Sequence, residues 1–253
     1  MAIRTASRTR DVAAAVVQAA IATSVVLLVC STASAQVYER NGAHFSVKFQ
    51  GPAEEAIAYR SVEILEAAYY RIGAALNVYP TQPIEVVLHT QQQFFDVTKA
   101  PSWAGGLYDG RIHVPVKGAE KISPERLTEV LSHELTHAFV TNVGGPAVPD
   151  WLHEGLAGVM EQSGPADEQD FMAHTSARMP LGSLMKSFAL LPEDSVHLAY
   201  AEAAVAVKRM IDLRGTSAVV GLLRAIKSDT SFENAFQANV GMRFQDFDAM
   251  VTR

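Results

Sequence analysis

The chain reads as an α+β protein: a small mixed sheet whose edge strand lies beside one long helix, followed by a mostly helical C-terminal half. Three observations predict this. Strand-like alternation of apolar and polar residues is confined to the segment before residue 117. The middle of the chain holds two helical segments, 124–140 and 150–161, separated by a glycine- and proline-rich turn. From residue 195 onward, apolar residues recur at helical spacing with only short breaks. With 253 residues, 49% of them hydrophobic, there is ample material for a core.

Residues 1–35 stand apart from the fold. Arg4, Arg8 and Arg10 precede an apolar stretch over 12–30, and Ala33-Ser34-Ala35 fits the small-x-small pattern of a cleavage site. The reading is a signal peptide removed before Gln36, which makes the mature protein exported, periplasmic or secreted. Were the segment kept, it would serve as a membrane anchor. Its removal takes away three arginines and one aspartate, leaving 18 basic against 26 acidic residues and a formal charge of −8. That balance, without any basic cluster, argues against nucleic acid as a partner. The one cysteine, Cys30, leaves with the leader, so no disulfide staples the mature chain.

The remaining elements follow in order. Phe45, Val47 and Phe49 alternate as one face of a strand over 44–50, ended by Gly51-Pro52. Residues 53–76 keep helical spacing, with Tyr59, Tyr69 and Tyr70 read as core and rim packing. A second strand spans 83–90 and a short helix 91–97. Residues 105–116 form a hairpin around Asp109-Gly110, and Pro115 hints at a sheet edge. Such an edge can accept an extended peptide as one more strand, with Gly106 and Ile112 to Val114 lining it. After the two central helices come an acidic surface loop over 162–170 and broken helical pieces over 171–192. Helices over 195–214, 216–227 and 231–239, and a last one from Phe244, complete the chain, with Gly215 as a C-cap.

The chemistry concentrates in His133-Glu134-Leu135-Thr136-His137. Ser123, Pro124 and Glu125 supply an N-cap, a first-turn proline and a carboxylate suited to the helix dipole. Residues four apart on a helix lie one above the other, so His133 and His137 can converge on one ion. Glu134, one position round, can take a proton from a water there. A catalytic zinc needs a third ligand and an open position. Asp150, read as an N-cap after Pro149, starts a second helix, and from it Glu154 can reach back towards the histidines.

These residues, with Trp151-Leu152-His153-Glu154-Gly155-Leu156-Ala157, resemble the gluzincin zinc metallopeptidases, in particular the thermolysin-like peptidase MA-like domains. The resemblance implies a zincin-like fold, Zn2+ held by His133, His137 and Glu154, and Glu134 as general base. It also implies one peptidase domain over 36–253, with an α/β subdomain over 36–143 and a helical one over 144–253. Other zinc families fit less well. A metzincin would place a histidine where Val143 stands, a deformylase needs a cysteine ligand, and an aspartate ligand at Asp150 lacks its Gly-Thr-x-Asp context. The expected activity is hydrolysis of a peptide or protein substrate. The alternative is a non-catalytic peptide-binding module that keeps the fold and a structural zinc. Tyr200, Tyr108, His153 and His197 are candidate donors to an oxyanion, Tyr200 first among them. Where thermolysin-type enzymes carry a carboxylate one turn after the glutamate ligand, this chain has Gly158; Glu161 or Asp150 could substitute. His153 is read as a cleft-wall or surface residue.

Overall fold

The structure is a computed structural model that describes residues 36–117, 122–161 and 172–252. The predicted leader and the loop expected over 162–170 lie outside the described residues. A five-stranded mixed sheet has the order β1-β2-β3-β5-β4. β1 (Val37–Asn41) runs antiparallel to β2 (Phe45–Gln50), and β2 runs parallel to β3 (Ile84–Thr90). β3 runs parallel to β5 (Ile112–Lys117), which carries β4 (Leu107–Tyr108) antiparallel on its outer side.

β1 escapes the sequence reading because Val37 to Asn41 show no apolar alternation and are mostly exposed; backbone pairing to β2 alone makes it a strand. The hairpin at Asp109-Gly110 is present, with Gly110 at φ +105 and Asp109 N–H donating to the carbonyl of Arg111. β4 covers β5 only at Ile112 and His113, so β5 is the edge of the sheet from Val114 onward, while the side chains of Ile112 and Val114 are fully buried and face the core. Pro115 stands beyond the part of β5 that β4 covers, beside an irregularity at His89 and Thr90, where a missing N–H is tolerated.

A short 3-10 turn (Pro52–Glu54) leads into α1 (Glu55–Leu76), which buries Leu65, Ala68, Ile72 and Leu76 and ends at Asn77 in the left-handed region. Tyr69 is buried and donates its hydroxyl to the carbonyl of Pro80 at 2.7 Å, whereas Tyr59 and Tyr70 are exposed at the rim. α2 (Gln91–Thr98) opens with a capping box from Thr90 and Gln93. α3 (Pro124–Gly144) starts as its sequence dictates, with Ser123 Oγ accepting from Arg126 N–H at 3.1 Å. In α4 (Asp150–Met160), Pro149 takes the capping position and Asp150 the first turn, so Asp150 is not the N-cap the sequence suggested. Two 3-10 turns (Leu181–Leu184 and Phe188–Leu190) fill the segment read as broken helix. The tail is α5 (Glu193–Arg214), α6 (Thr216–Lys227), α7 (Phe232–Val240) and α8 (Phe244–Val251).

α3 is central: it packs on α1, α4 and α6, and a single core runs from Phe45 in β2 to Phe247 in α8. α4 in turn lies tightly on α5. A Cβ at Gly155 would sit 2.3 Å from the carbonyl oxygen of Ala203, so only glycine permits this approach. Trp151, fully buried, stacks on Phe244 at 5.9 Å and pins the start of α4 to the tail.

Beneath the hairpin, His89 Nε2 lies 2.9 Å from His113 Nδ1, and His113 Nε2 lies 3.2 Å from Asp109 Oδ1. With Asp109 accepting from His113, the bare His113 Nδ1 accepts from His89. Burial first, then His113 and Arg111, holds His89 down from 6.5 to about 4. The unfolded chain therefore binds a proton at His89 near pH 6.5 that the folded one refuses until about 4, so the contribution of His89 is complete above pH 6.5 and is lost as pH falls towards 4. Urea midpoints measured from pH 7 to 4 should decline over that window, and His89→Phe should flatten the decline.

Candidate metal centre

His133 and His137 project from the same face of α3, their ring centroids 4.8 Å apart and their planes at 81°. Glu154 reaches them from α4, with Oε2 3.1 Å from His133 Nε2 and 3.4 Å from His137 Nε2. One ligand atom from each of the three lies within 4.8 Å of the others, and among the described residues this is the group that could hold a metal ion. Two imidazoles and a carboxylate are a donor set suited to zinc with one position left open.

Each histidine is oriented from behind. His133 Nδ1–H donates to Glu161 Oε1 at 2.5 Å, which leaves Nε2 facing Glu154. Glu161 thus takes the supporting place that Gly158 leaves empty. Its position is fixed by its neighbour, since Arg71 Nη1 on α1 donates to the carbonyl of Met160 at 2.6 Å and secures the end of α4. Asp150, the other candidate, accepts instead from the backbone N–H of Phe188. His137 Nδ1 lies 3.3 Å from His153 Nδ1, so His153 lines the cleft and also lies against a ring of the trio. If His137 offers Nε2 to an ion, its Nδ1 carries the proton and His153 must accept. Burial and then His137 depress His153 to about 4, which keeps it neutral and able to do so.

Glu134 is 5% exposed, and its Oε2 has no hydrogen-bond partner. Burial raises its pKa against the opposing pull of His137 and His133. A Cβ at Gly106 would lie 2.6 Å from Glu134 Oε1, so the glycine before β4 clears the space this carboxylate occupies. The charges fit a cation: against the cost of burial, Glu154 and Glu161 pull the His133 pKa well above 6.5, and His137 and His133 hold Glu154 far below the usual carboxylate range. A buried carboxylate oxygen without a partner and a trio that favours positive charge both suit a divalent ion and a water.

Two adjoining cavities of about 480 and 510 Å3 flank the trio and share Trp103, His133, Glu134 and Tyr200. Tyr200 is half-buried on α5, its ring 6.1 Å from that of His133 and 5.3 Å from that of Phe188. Burial, then Glu154 and Glu134, raises its hydroxyl well above 10, so it remains a donor. Tyr108 and His153 line one cavity and His197 the other; Tyr200 lines both. Trp103 escaped the sequence reading because it sits in a loop with no motif around it, and only the fold brings it to Tyr200, at 6.2 Å between rings.

A model of the Peptidase MA superfamily matches residues 66–251. A sequence search of the curated proteins finds no match. Among solved structures, the chain is similar to the crystal structure of Legionella pneumophila aminopeptidase A in complex with aspartic acid. The TM-score is 0.52 at 14% identity, and the likeness covers 87% of this chain and 28% of that one. At that identity it concerns the fold: a small five-stranded mixed sheet with a largely helical remainder, zincin-like as the sequence predicts.

The support behind His133 carries its own test. Glu161→Gln should weaken zinc binding by roughly 10–100-fold, as loss of an outer partner of a ligating histidine does. Competition with a chromophoric chelator measures it, and an affinity equal to the wild type's would show that Glu161 does not position the ring.

Proposed function

This chain belongs to the Peptidase MA superfamily, the gluzincins, and from that premise we propose that it is an exported, periplasmic or secreted, zinc-dependent peptidase acting on peptide or protein substrates. His133, His137 and Glu154 hold the ion in this reading. Zinc supplies a Lewis acid and a water whose pKa is brought down towards ~7. Glu134 accepts the proton of the attacking water at its unpartnered oxygen and returns it to the leaving amine as the C–N bond breaks. The Tyr200 hydroxyl donates to the oxygen on which negative charge gathers. Glu161 and His153 hold the histidine rings by their far nitrogens, and the cavities on either side of the trio give a peptide room to continue in both directions.

The observation that carries this reading is Glu134 Oε2, buried without a partner beside the trio. A structural ion in a peptide-binding module needs no such carboxylate, and leaving one unsatisfied costs about 1–3 kcal/mol or more for a charged group. A group kept at that cost beside three donors is suited to receiving a proton.

Elemental analysis of the purified protein should give one zinc per chain, and digestion of a mixed peptide library followed by mass spectrometry should reveal cleavage. Glu134→Gln should keep the zinc and abolish cleavage, whereas Glu154→Ala should lose both. Zinc in wild type and Glu134→Gln alike, with cleavage in neither, would replace the enzyme by the binding module. Tyr200→Phe should lower kcat by about 100–1,000-fold with zinc retained and KM little changed, the loss expected for one oxyanion donor. An unaltered kcat would reduce Tyr200 to packing.

A further inference from the structure

Where the sheet meets the cleft, its outer strand is β4, and the backbone pairing of β4 is minimal: Leu107 with His113 and Tyr108 with Ile112. So short a ladder holds a strand weakly, since even whole hairpins are marginal in isolation. Its place is nonetheless demanding. Gly106, just before it, clears the space that Glu134 occupies, and Gly106 to Gly110 line the cavity of about 510 Å3.

A chain of side chains supplies the missing hold. Asp109, the residue after β4, accepts from His113 Nε2 at 3.2 Å, and the same Oδ1 takes the N–H of Arg111 at 3.3 Å. His113 Nδ1 in turn accepts from His89 Nε2 on β3 at 2.9 Å, and the two rings stack at 5.2 Å and 15°. Both histidines are buried, His89 beside Phe94 of α2, whereas Asp109 opens on the cavity. His113 is also the residue that Leu107 pairs with, so backbone and side chain secure β4 at one point. Space-filling alone does not call for this pair, because two apolar rings would occupy the site without the desolvation that imidazoles cost. What a closed chain of hydrogen bonds adds is a single arrangement. The other tie of the hairpin, Arg111 Nη1 to Glu85 Oε1 at 3.4 Å, lies towards solvent, where an ion pair contributes little.

We propose that His113 and His89 are positioning residues: acting through Asp109, they hold β4 where it borders a peptide lying beside the trio. The proposal rests on the peptidase reading for its kinetic consequence, and on the hydrogen bonds alone for the anchoring of β4.

Hydrogen–deuterium exchange of the full chain, followed by mass spectrometry, reads the anchor without chemistry. Asp109→Ala should speed exchange over 105–111 at least ~5-fold, the scale of one lost hydrogen bond, and leave α3 as it was. Asp109→Asn should restore most of the protection, because its amide oxygen can take the same two bonds. His89→Phe combined with His113→Phe removes the chain without orphaning a donor. It should match Asp109→Ala in exchange, and Asp109→Ala added to it should change little more. On a peptide that the wild type cleaves, Asp109→Ala should raise KM about 5–10-fold with kcat and zinc content held, the mark of lost binding rather than lost chemistry, and Asp109→Asn should bring KM most of the way back. Unaltered exchange over 105–111 in Asp109→Ala overturns the anchor. Faster exchange with KM unmoved overturns the positioning role. So does a KM raised equally by Asp109→Asn and Asp109→Ala, which would mean that the charge of Asp109 meets the substrate itself. Where the wild type cleaves nothing, the peptidase reading falls and exchange alone decides whether the chain holds β4.

Discussion

The approach of α4 to α5 sets the geometry of the cleft. At Gly155 the two helices come so close that a single methyl would meet the carbonyl of Ala203, and this contact fixes the roll of α4 about its axis. With Gly155 turned to α5 and Trp151 locked onto Phe244, the adjacent Glu154 is turned towards α3. Its carboxylate then meets two imidazoles that the helical repeat has already brought to one face of α3. A shift of about an ångström in that packing would separate the three donors, because side chains of this length have little reach to spare. The centre is therefore as much a property of apolar helix packing as of its polar residues.

Charge is the second constraint. Glu134, Glu154, Glu161 and Asp150 all lie around two histidines in a setting where carboxylates repel one another, and the pKa directions record the tension: Glu134 and Asp150 are raised, first by burial and then in part by their acidic neighbours. Positive charge between the donors relieves it. Glu202 Oε2 is likewise buried without a partner, so what sets the unpaired oxygen of Glu134 apart is its place beside the three donors.

Much of this was legible in the chain. The four-residue spacing of His133 and His137, and the turn that returns Glu154, follow from helical geometry and from glycine and proline at 144–149. Glu161 was also within reach: seven residues after Glu154 is nearly two whole turns, which restores the same helix face. What stayed hidden depends on contacts distant in sequence. β1 has no apolar alternation, so only its partner reveals it. That β4 covers the start of β5 depends on strand order, whereas Pro115 lies on the uncovered edge that its missing N–H suggests. The contact of His153 with His137 and the arrival of Trp103 beside Tyr200 are products of docking between elements, and no local periodicity encodes them.

The link from Arg71 to the end of α4 joins regions that the chain order keeps far apart. A guanidinium rooted in the layer beside the sheet holds the carbonyl of Met160, the next residue steadies His133, and His133 belongs to the trio. The support of the trio is thus complete only once the first half of the polypeptide has closed upon the second. A partly folded chain carries all the motifs and still lacks a finished centre, which couples assembly of the trio to the contact between α1 and the end of α4.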